Sequence, residues 1–349
     1  MASNDPPRIG PLAPGPRNAI TDVDGVTVGH CTLARGDTQT GATVIVPHAG
    51  DPYRERPPAA AVVLNGFGKS AGLMQVEELG VIETPVALGN TFAVGALVRA
   101  QERAACRANP EIGRSLPTVN AVALECNDGY LNDIQAQAVG EAHYEEALAG
   151  ASRDFAQGSV GAGRGMTMFG VKGGVGSASR VAATNDDRFM VGALVLANFG
   201  RAANLVVDGE RVGARLHEAL ARPAPAAESG SIIMVLATDA PLDARQLRRV
   251  ALRAGAGLAR TGSFFGHGSG DVVLAFSTAY RIPHSAATPM PALALLHDGR
   301  LDPLFEAAAD ATEQAIVNAL FSASRVRGFR GHERRAFTEV LPGWRVAAP

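Results

Sequence analysis

The chain has 349 residues and a mass of 36.0 kDa, with 32 Lys and Arg against 34 Asp and Glu, a formal charge of −2. Apolar residues make up 46% and charged residues 19%, a balance that excludes disorder over most of the length. Aromatics are only 5% and Gly numbers 40, so the core must rest on closely packed Val, Leu, Ile and Ala. Almost every basic residue is Arg, the lysines being Lys69 and Lys172. No basic run interleaves with aromatics, which argues against nucleic acid as a partner. Cys31, Cys106 and Cys126 are far apart and odd in number, which excludes a disulfide framework and fits a reducing compartment. The first residues lack the apolar core of a signal peptide, and no apolar run approaches the ~18 residues of a membrane span. A cytoplasmic protein without a membrane partner is expected.

Residues 1–18 carry five prolines and read as an extended arm. Short strands and turns follow over 20–46, with Asp24-Gly25 as a hairpin signal between 20–23 and 26–28. Residues 60–64 form a buried-type strand, 65–68 (Asn-Gly-Phe-Gly) a turn, and 70–79 a helix ended by Gly80. A strand at 86–88, a helical stretch over 91–105, a strand at 119–124 and a helix over 132–149 come next. The glycine-rich segment 158–179 precedes a strand at 191–197 and a hairpin at 207–210. Residues 222–230 are the clearest surface loop. They run into Ser231-Ile-Ile-Met-Val-Leu-Ala237, apolar without alternation and therefore covered on both faces. Asp243 with Gln246 makes a capping box for a helix whose buried face is Leu247, Val250, Ala254 and Leu258. A strand at 272–276 is followed by a last helix opening at Asp302-Pro303. Strands and helices mix over the whole length without a linker, so residues 1–349 read as a single α/β domain.

Several segments carry possible chemistry. Lys69-Ser70 lacks the first glycine of a phosphate loop, since position 63 is Val. Gly68-Lys69-Ser70-Ala71-Gly72 does match the G-x-S-x-G nucleophile elbow, although the turn from Leu64 is long for one. Gly174-Val-Gly176-Ser-Ala-Ser179 departs from a dinucleotide fingerprint at its last position, and close backbone packing is the expected role. His267, Ser269 and Asp271 are too near in sequence for a triad, whose members come from separate elements. The eight histidines show no paired-ligand spacing. Neither a metal nor any other cofactor is expected.

Gly230-Ser231 is bland as a dipeptide unless the chain is cut there. Ser231 would then carry a hydroxyl and an α-amine on one residue. An α-amine has a pKa of about 7.7–8.0, so an appreciable fraction is unprotonated near neutrality and can act as base for the adjacent hydroxyl. Glycine at 230 suits a strained backbone and leaves the carbonyl unshielded.

The surrounding residues carry a resemblance. Gly230-Ser231-Ile-Ile-Met-Val-Leu-Ala-Thr-Asp-Ala-Pro-Leu242 and Gly268-Ser-Gly-Asp-Val-Val-Leu-Ala-Phe-Ser-Thr-Ala279 resemble the DmpA-type L-aminopeptidase/D-amidase-esterase family, which includes the β-peptidyl aminopeptidases (DmpA/BapA type). Matching segments occur in order at 22–30 (DVDGVTVGH), 127–134 (NDGYLNDI), 172–180 (KGGVGSASR) and 192–200 (GALVLANFG). The resemblance implies a four-layer α/β/β/α sandwich and an N-terminal-nucleophile hydrolase. Its precursor would cut itself into 1–230 and 231–349 and assemble as a homo-oligomer, a tetramer of processed units.

By the same resemblance Ser231 is nucleophile and base, and Asn198 offers its amide to the oxyanion. Ser269 and Asp271 lie beside Ser231, with Asp271 accepting a hydrogen bond and Ser269 relaying the proton. Glu125 pairs with the substrate's amino group, and Tyr130 lines the pocket. Lys69, Arg164 and Leu88-Gly89-Asn90-Thr91 depart from the family pattern and bear on substrate preference. The implied activity is release of N-terminal α- or β-amino acids from short peptides, amides or esters. Its rivals are a serine hydrolase using Ser70 and a non-catalytic binding protein of the same fold.

Overall fold

The computed structural model describes residues 5–184, 187–220 and 229–345. Two sheets organise them. The first has the strand order β1-β2-β4-β5, from Thr27–Arg35, Thr38–Val46, Val86–Asn90 and Val122–Cys126. The second has the order β3-β9-β8-β7-β6, from Ala59–Gly66, Gly268–Ser277, Ser229–Thr238, Asp187–Asn198 and Gly174–Thr184. Neighbours are antiparallel except for the pairs β4/β5 and β8/β9.

Burial explains the apolar run of β8. Ile232, Met234 and Leu236 face one core, shared with the helices α5 (Ala244–Arg260) and α6 (Asp302–Ser322). Ile233, Val235 and Ala237 face a second core between the sheets, against Val86, Leu88, Val122 and Leu124. A third core lies on the far face of the first sheet. There Ala42, Val44, Ala87 and Ala123 pack on helices α2 (Val94–Ala108) and α3 (Glu141–Ala149) through Leu97, Ala100, Tyr144 and Ala147. Helices, sheet, sheet and helices make the expected α/β/β/α sandwich. Helix α1 (Leu73–Leu79) packs near β3, while α4 (Gly213–Leu220) and α7 (Phe337–Val340) lie at the margin.

The Asp243 capping box forms as read: Asp243 Oδ1 accepts from Gln246 N at 2.7 Å, and Gln246 Oε1 accepts from Asp243 N at 3.1 Å. Gly80 ends α1 in the left-handed conformation, φ 68°. Gly176 lies in strand β6, where a Cβ would meet the Ala315 carbonyl oxygen of α6 at 2.0 Å. Gly174 is likewise crowded, by the Gly158 carbonyl oxygen at 2.1 Å, so these two glycines serve close packing and the dinucleotide reading is set aside.

Four local expectations need correction. Residues 20–23 are not a hairpin strand: Ile20–Asp22 is a 3₁₀ turn, closed by the Asp22 carboxylate accepting from the backbone N–H of Arg17 and Ala19. The helix expected over 132–149 starts only at Glu141. Asn132 is held by Asp128 Oδ1 and by the N–H of Gln39, and Gln137 turns left-handed at φ 46°. The strand expected at 119–124 is shifted to Val122–Cys126 because Asn120 bonds away from the sheet, to Glu83 and Gly72. The loop expected over 222–230 lies outside the described residues up to 228, and residues 229 and 230 already belong to β8.

Candidate active site

The register of the second sheet places the candidate nucleophile. Ser231 pairs with Asn198 at the end of β7 on one side and with Gly270 of β9 on the other. The Ser231 side chain shares the face of Ile233, toward the other sheet, and its Oγ accepts from Gly270 N–H at 3.1 Å. Gly230 is required by crowding. A Cβ there would meet the Asn198 carbonyl oxygen at 2.4 Å and Phe199 Cα at 2.7 Å. Its φ is not in the left-handed region, so close approach, not the strain read from the sequence, explains the glycine.

Asn198 is held at both ends of its amide. Oδ1 accepts from Thr167 N–H at 2.8 Å, and Nδ2 donates to the Asn127 carbonyl at 2.9 Å. A backbone N–H can only donate, so the oxygen must face Thr167 and the second Nδ2 hydrogen is left for the cavity. Thr167 sits in a short ladder, Thr167–Met168 against Val171–Lys172. Lys172, fully buried, donates from Nζ to the carbonyls of Gly163, Met166 and Gly173 at 2.8, 2.8 and 2.7 Å. Burial drives its pKa well below that of a free lysine, and the nearby Arg164 adds to the effect.

The first sheet supplies the opposite wall. Glu125, 4% exposed, accepts from Lys69 N–H at 2.8 Å through Oε1 and from the Thr91 hydroxyl through Oε2. Among the described residues it makes no ion pair. Asp128, three residues on, is buried against Asn90 and Asn132, and burial raises its carboxyl to about 6. Ser231, Asn198, Gly230, Glu125, Tyr130, Lys69, Thr91, Asn127, Thr167 and Arg334 line one cavity of about 460 Å³ at this end of the sandwich.

Ser269 and Asp271 lie on the strand next to Ser231, opposite Gly230 and Ile232. Ser269 Oγ donates to Asp271 Oδ1 at 2.6 Å, and both side chains are buried. They flank Gly270, so strand alternation turns them to the face opposite the Ser231 hydroxyl, and neither lines the cavity. What lies beside them is the 230–231 peptide, since Gly230 pairs with Ser269. Arg164 is also outside the cavity, its Nε donating to Gln39 Oε1 at 2.8 Å, whereas Lys69 is in the wall. Ser70 is not in the cavity wall, and among the described residues its buried Oγ has no hydrogen-bond partner, hence no base. The segment that carries it runs beside β5 through an Ala71–Ala123 bridge, which is not an elbow. Sequence reading missed Thr167, Asn127 and Arg334. The first two act through main-chain groups that any residue type could supply, and Arg334 lies beyond the last recognised motif.

Among the described residues no three His, Cys, Asp or Glu side chains are grouped to hold a metal, and no helix is long and apolar enough to cross a membrane. Residues 18–334 match the model of peptidase family S58. The chain is 36% identical over 341 residues to the beta-peptidyl aminopeptidase BapA of Sphingosinicella microcystinivorans, covering 91% of this chain and 85% of that one. It superposes with a TM-score of 0.90 on a Burkholderia sp. beta-aminopeptidase, 41% identical, with 98% of each chain covered. The L-aminopeptidase D-Ala-esterase/amidase of Ochrobactrum anthropi, described as a prototype of the serine aminopeptidases and a variant of the Ntn hydrolase fold, gives 0.88 at 34% identity, covering 97% and 96%. With the fold, the cavity and these likenesses in agreement, the chain belongs to peptidase family S58 and is a serine aminopeptidase of the N-terminal-nucleophile type, a hydrolase of peptide bonds.

Proposed function

We propose that Ser231 is the nucleophile and that the chain frees it by cutting its own Gly230–Ser231 bond, leaving pieces 1–230 and 231–349 of one hydrolase domain. The observation that carries this reading is the Ser231 hydroxyl at the cavity wall, beside an Asn198 amide whose orientation is fixed by Thr167 and Asn127. In processing, Ser231 Oγ attacks the Gly230 carbonyl carbon and the C–N bond breaks, leaving an ester that water opens to a Gly230 carboxylate and a free Ser231 amine.

In turnover that amine takes the Oγ proton as Oγ attacks the substrate carbonyl, and Asn198 Nδ2–H stabilises the oxyanion. The proton then passes to the leaving nitrogen. Water, deprotonated by the same amine, releases the acyl group. Ser269 spends its only hydrogen on Asp271, so its oxygen can only accept, and it orients the new α-amine through an N–H. Glu125 holds the substrate's terminal ammonium and Tyr130 lines its pocket. The substrates are short peptides, amides or esters from which an N-terminal α- or β-amino acid is released, as the names of the relatives suggest. The processed units form a homo-oligomer, a tetramer, in the cytoplasm.

A denaturing gel tests the reading. The wild type should give bands near two-thirds and one-third of the chain. Ser231→Ala should stay intact and inactive, and Ser70→Ala should remain cut and active. A fully active wild type that runs as one intact band would overturn the processing step.

A further inference from the structure

Ser231 and Glu125 are joined by one short stretch of chain. At its start the Phe67 carbonyl oxygen lies against Gly270, where a Cβ would meet it at 2.8 Å, and Gly270 N–H is the donor to Ser231 Oγ. At its end Lys69 N–H donates to Glu125 Oε1 at 2.8 Å. Between them, a Cβ on Gly68 would lie 3.5 Å from that same Oε1 and 3.8 Å from Gly270 Cα. Two residue steps, at about 3.3–3.6 Å each, thus lead from the Ser231 side to the Glu125 side. An acyl residue whose amine sits on Glu125 and whose carbonyl meets Ser231 must lie alongside Phe67 and Lys69.

The side chains of that stretch set its charge. Phe67 and Lys69 both line the cavity, and both are exposed. The Lys69 ammonium rests over the Phe67 ring, 4.4 Å from the centroid. Among the described residues it pairs with no carboxylate, since Glu125 takes the main-chain N–H of Lys69 and not its Nζ. An ammonium on a ring face keeps N–H donors for an anion. The other cation of the wall, Arg334, is already engaged, stacked on Tyr130 and bonded to the Glu333 carbonyl. Once a substrate ammonium neutralises Glu125, the wall beside the acyl residue is left with the charge of Lys69. The complementary group is a carboxylate on the acyl residue itself, within a few bonds of its amine.

We infer that Lys69 determines specificity and that the preferred substrates carry an acidic N-terminal residue, an aspartyl group in α- or β-linkage. Both linkages place a free carboxylate near the amine, and in the β-linked group the two share one carbon. Removing that carboxylate leaves a β-alanyl group, which offers Lys69 no anion. This assignment rests on the aminopeptidase reading, in which Glu125 takes the amine and Ser231 attacks the carbonyl.

The test measures kcat/KM for two matched pairs of p-nitroanilides, β-aspartyl against β-alanyl and α-aspartyl against α-alanyl. Within each pair the substrates differ by one carboxylate. The enzymes are the processed wild type, Lys69→Met and Lys69→Arg. In the wild type the acidic member of at least one pair should be the better substrate, and that pair identifies the linkage. Lys69→Met should lower its acidic-to-neutral ratio by about three- to tenfold, a modest factor because the cation is exposed, and Lys69→Arg should retain it. The ratio cancels general damage to the enzyme. High salt should erode the wild-type ratio in the same direction. A wild type that prefers the neutral member of both pairs, or a ratio that Lys69→Met leaves unchanged, overturns the assignment. Wild-type enzyme that cleaves N-acetyl-β-alanyl p-nitroanilide as fast as the free amine would instead overturn the amine-anchored reading, and this assignment with it.

Discussion

On the proposed reading, Glu125 is the one side chain that sets the difference between an exopeptidase and a general amidase. It is a carboxylate buried to 4% exposure, with two neutral donors and no ion pair among the described residues, which is the setting the proposed counter-charge for an ammonium requires. Glu125→Gln keeps the shape and one acceptor, so Lys69 and Thr91 stay partly satisfied, but an ammonium is left unpaired. Losing one side of such a pair costs roughly 2–5 kcal/mol. The variant should therefore lose at least about an order of magnitude in kcat/KM on free-amine substrates. N-acetylated substrates should be poor for the wild type and little affected by the change. Steady-state kinetics on matched free and acetylated p-nitroanilides read this directly, and equal cleavage of both by the wild type would remove the amine pocket. Glu125 and Ser231 were legible in the sequence because each sits in a run of specific residue types. Arg334 was not, because what singles it out is a ring 204 positions away in the chain, Tyr130, and only the folded chain brings the two together.

At the scale of elements, the unbroken apolar run of β8 announced a strand covered on both faces, and the Asp243–Gln246 pair announced the start of α5. These signals are local and periodic. The helix expected over 132–149 failed where side chains compete with backbone periodicity: Asn132 donates to Asp128 and accepts from the Gln39 N–H, and a 3₁₀ turn at Ile134–Ala136 precedes the helix. The Thr167–Lys172 ladder was equally opaque, being read only as part of a glycine-rich segment. Its organiser is Lys172, which ties three carbonyls of the 163–173 segment with three N–H bonds. Through Thr167 N–H that segment orients Asn198. Lys172→Met would fill the space but take the Nζ donor from three buried carbonyls, of which those of Gly163 and Met166 keep a main-chain donor in the N–H of Met166 and of Gly173; a buried acceptor left unpaired costs on the order of 1–3 kcal/mol. The variant should unfold at a clearly lower denaturant concentration. In the protein that does fold, kcat should fall with KM nearly unchanged if Asn198 donates, as proposed, to the oxyanion and not to the bound substrate. A variant as stable as the wild type with normal kcat would show that the turn holds itself.

The whole molecule constrains what the proposed cut can do. Of the five strands in the second sheet, β8 and β9 belong to the piece 231–349 and are bracketed by β3 and β7 of the piece 1–230. The strands of the second piece thus lie between strands of the first although the chain is cut only once, because β3, far upstream, returns to pair with β9. The helices α5 and α6 of the second piece cover strands of both. Drawing the pieces apart would expose Ile232, Ile233, Met234, Val235 and Leu236, all buried. At roughly 1.5–3 kcal/mol per side chain, that is on the order of 10 kcal/mol before the severed ladders are counted. The cut also falls at the cavity end of β8, ahead of its paired core, so it removes little of the register. The processed protein should therefore elute in native size exclusion as one species containing both pieces in equal amounts. It should unfold in a single transition by circular dichroism and by intrinsic fluorescence of Trp344 in the second piece. The pieces should part only in denaturant. Separate elution of the two under native conditions would mean that the sheet does not survive cleavage, and that the bond cut is not the one at the head of β8.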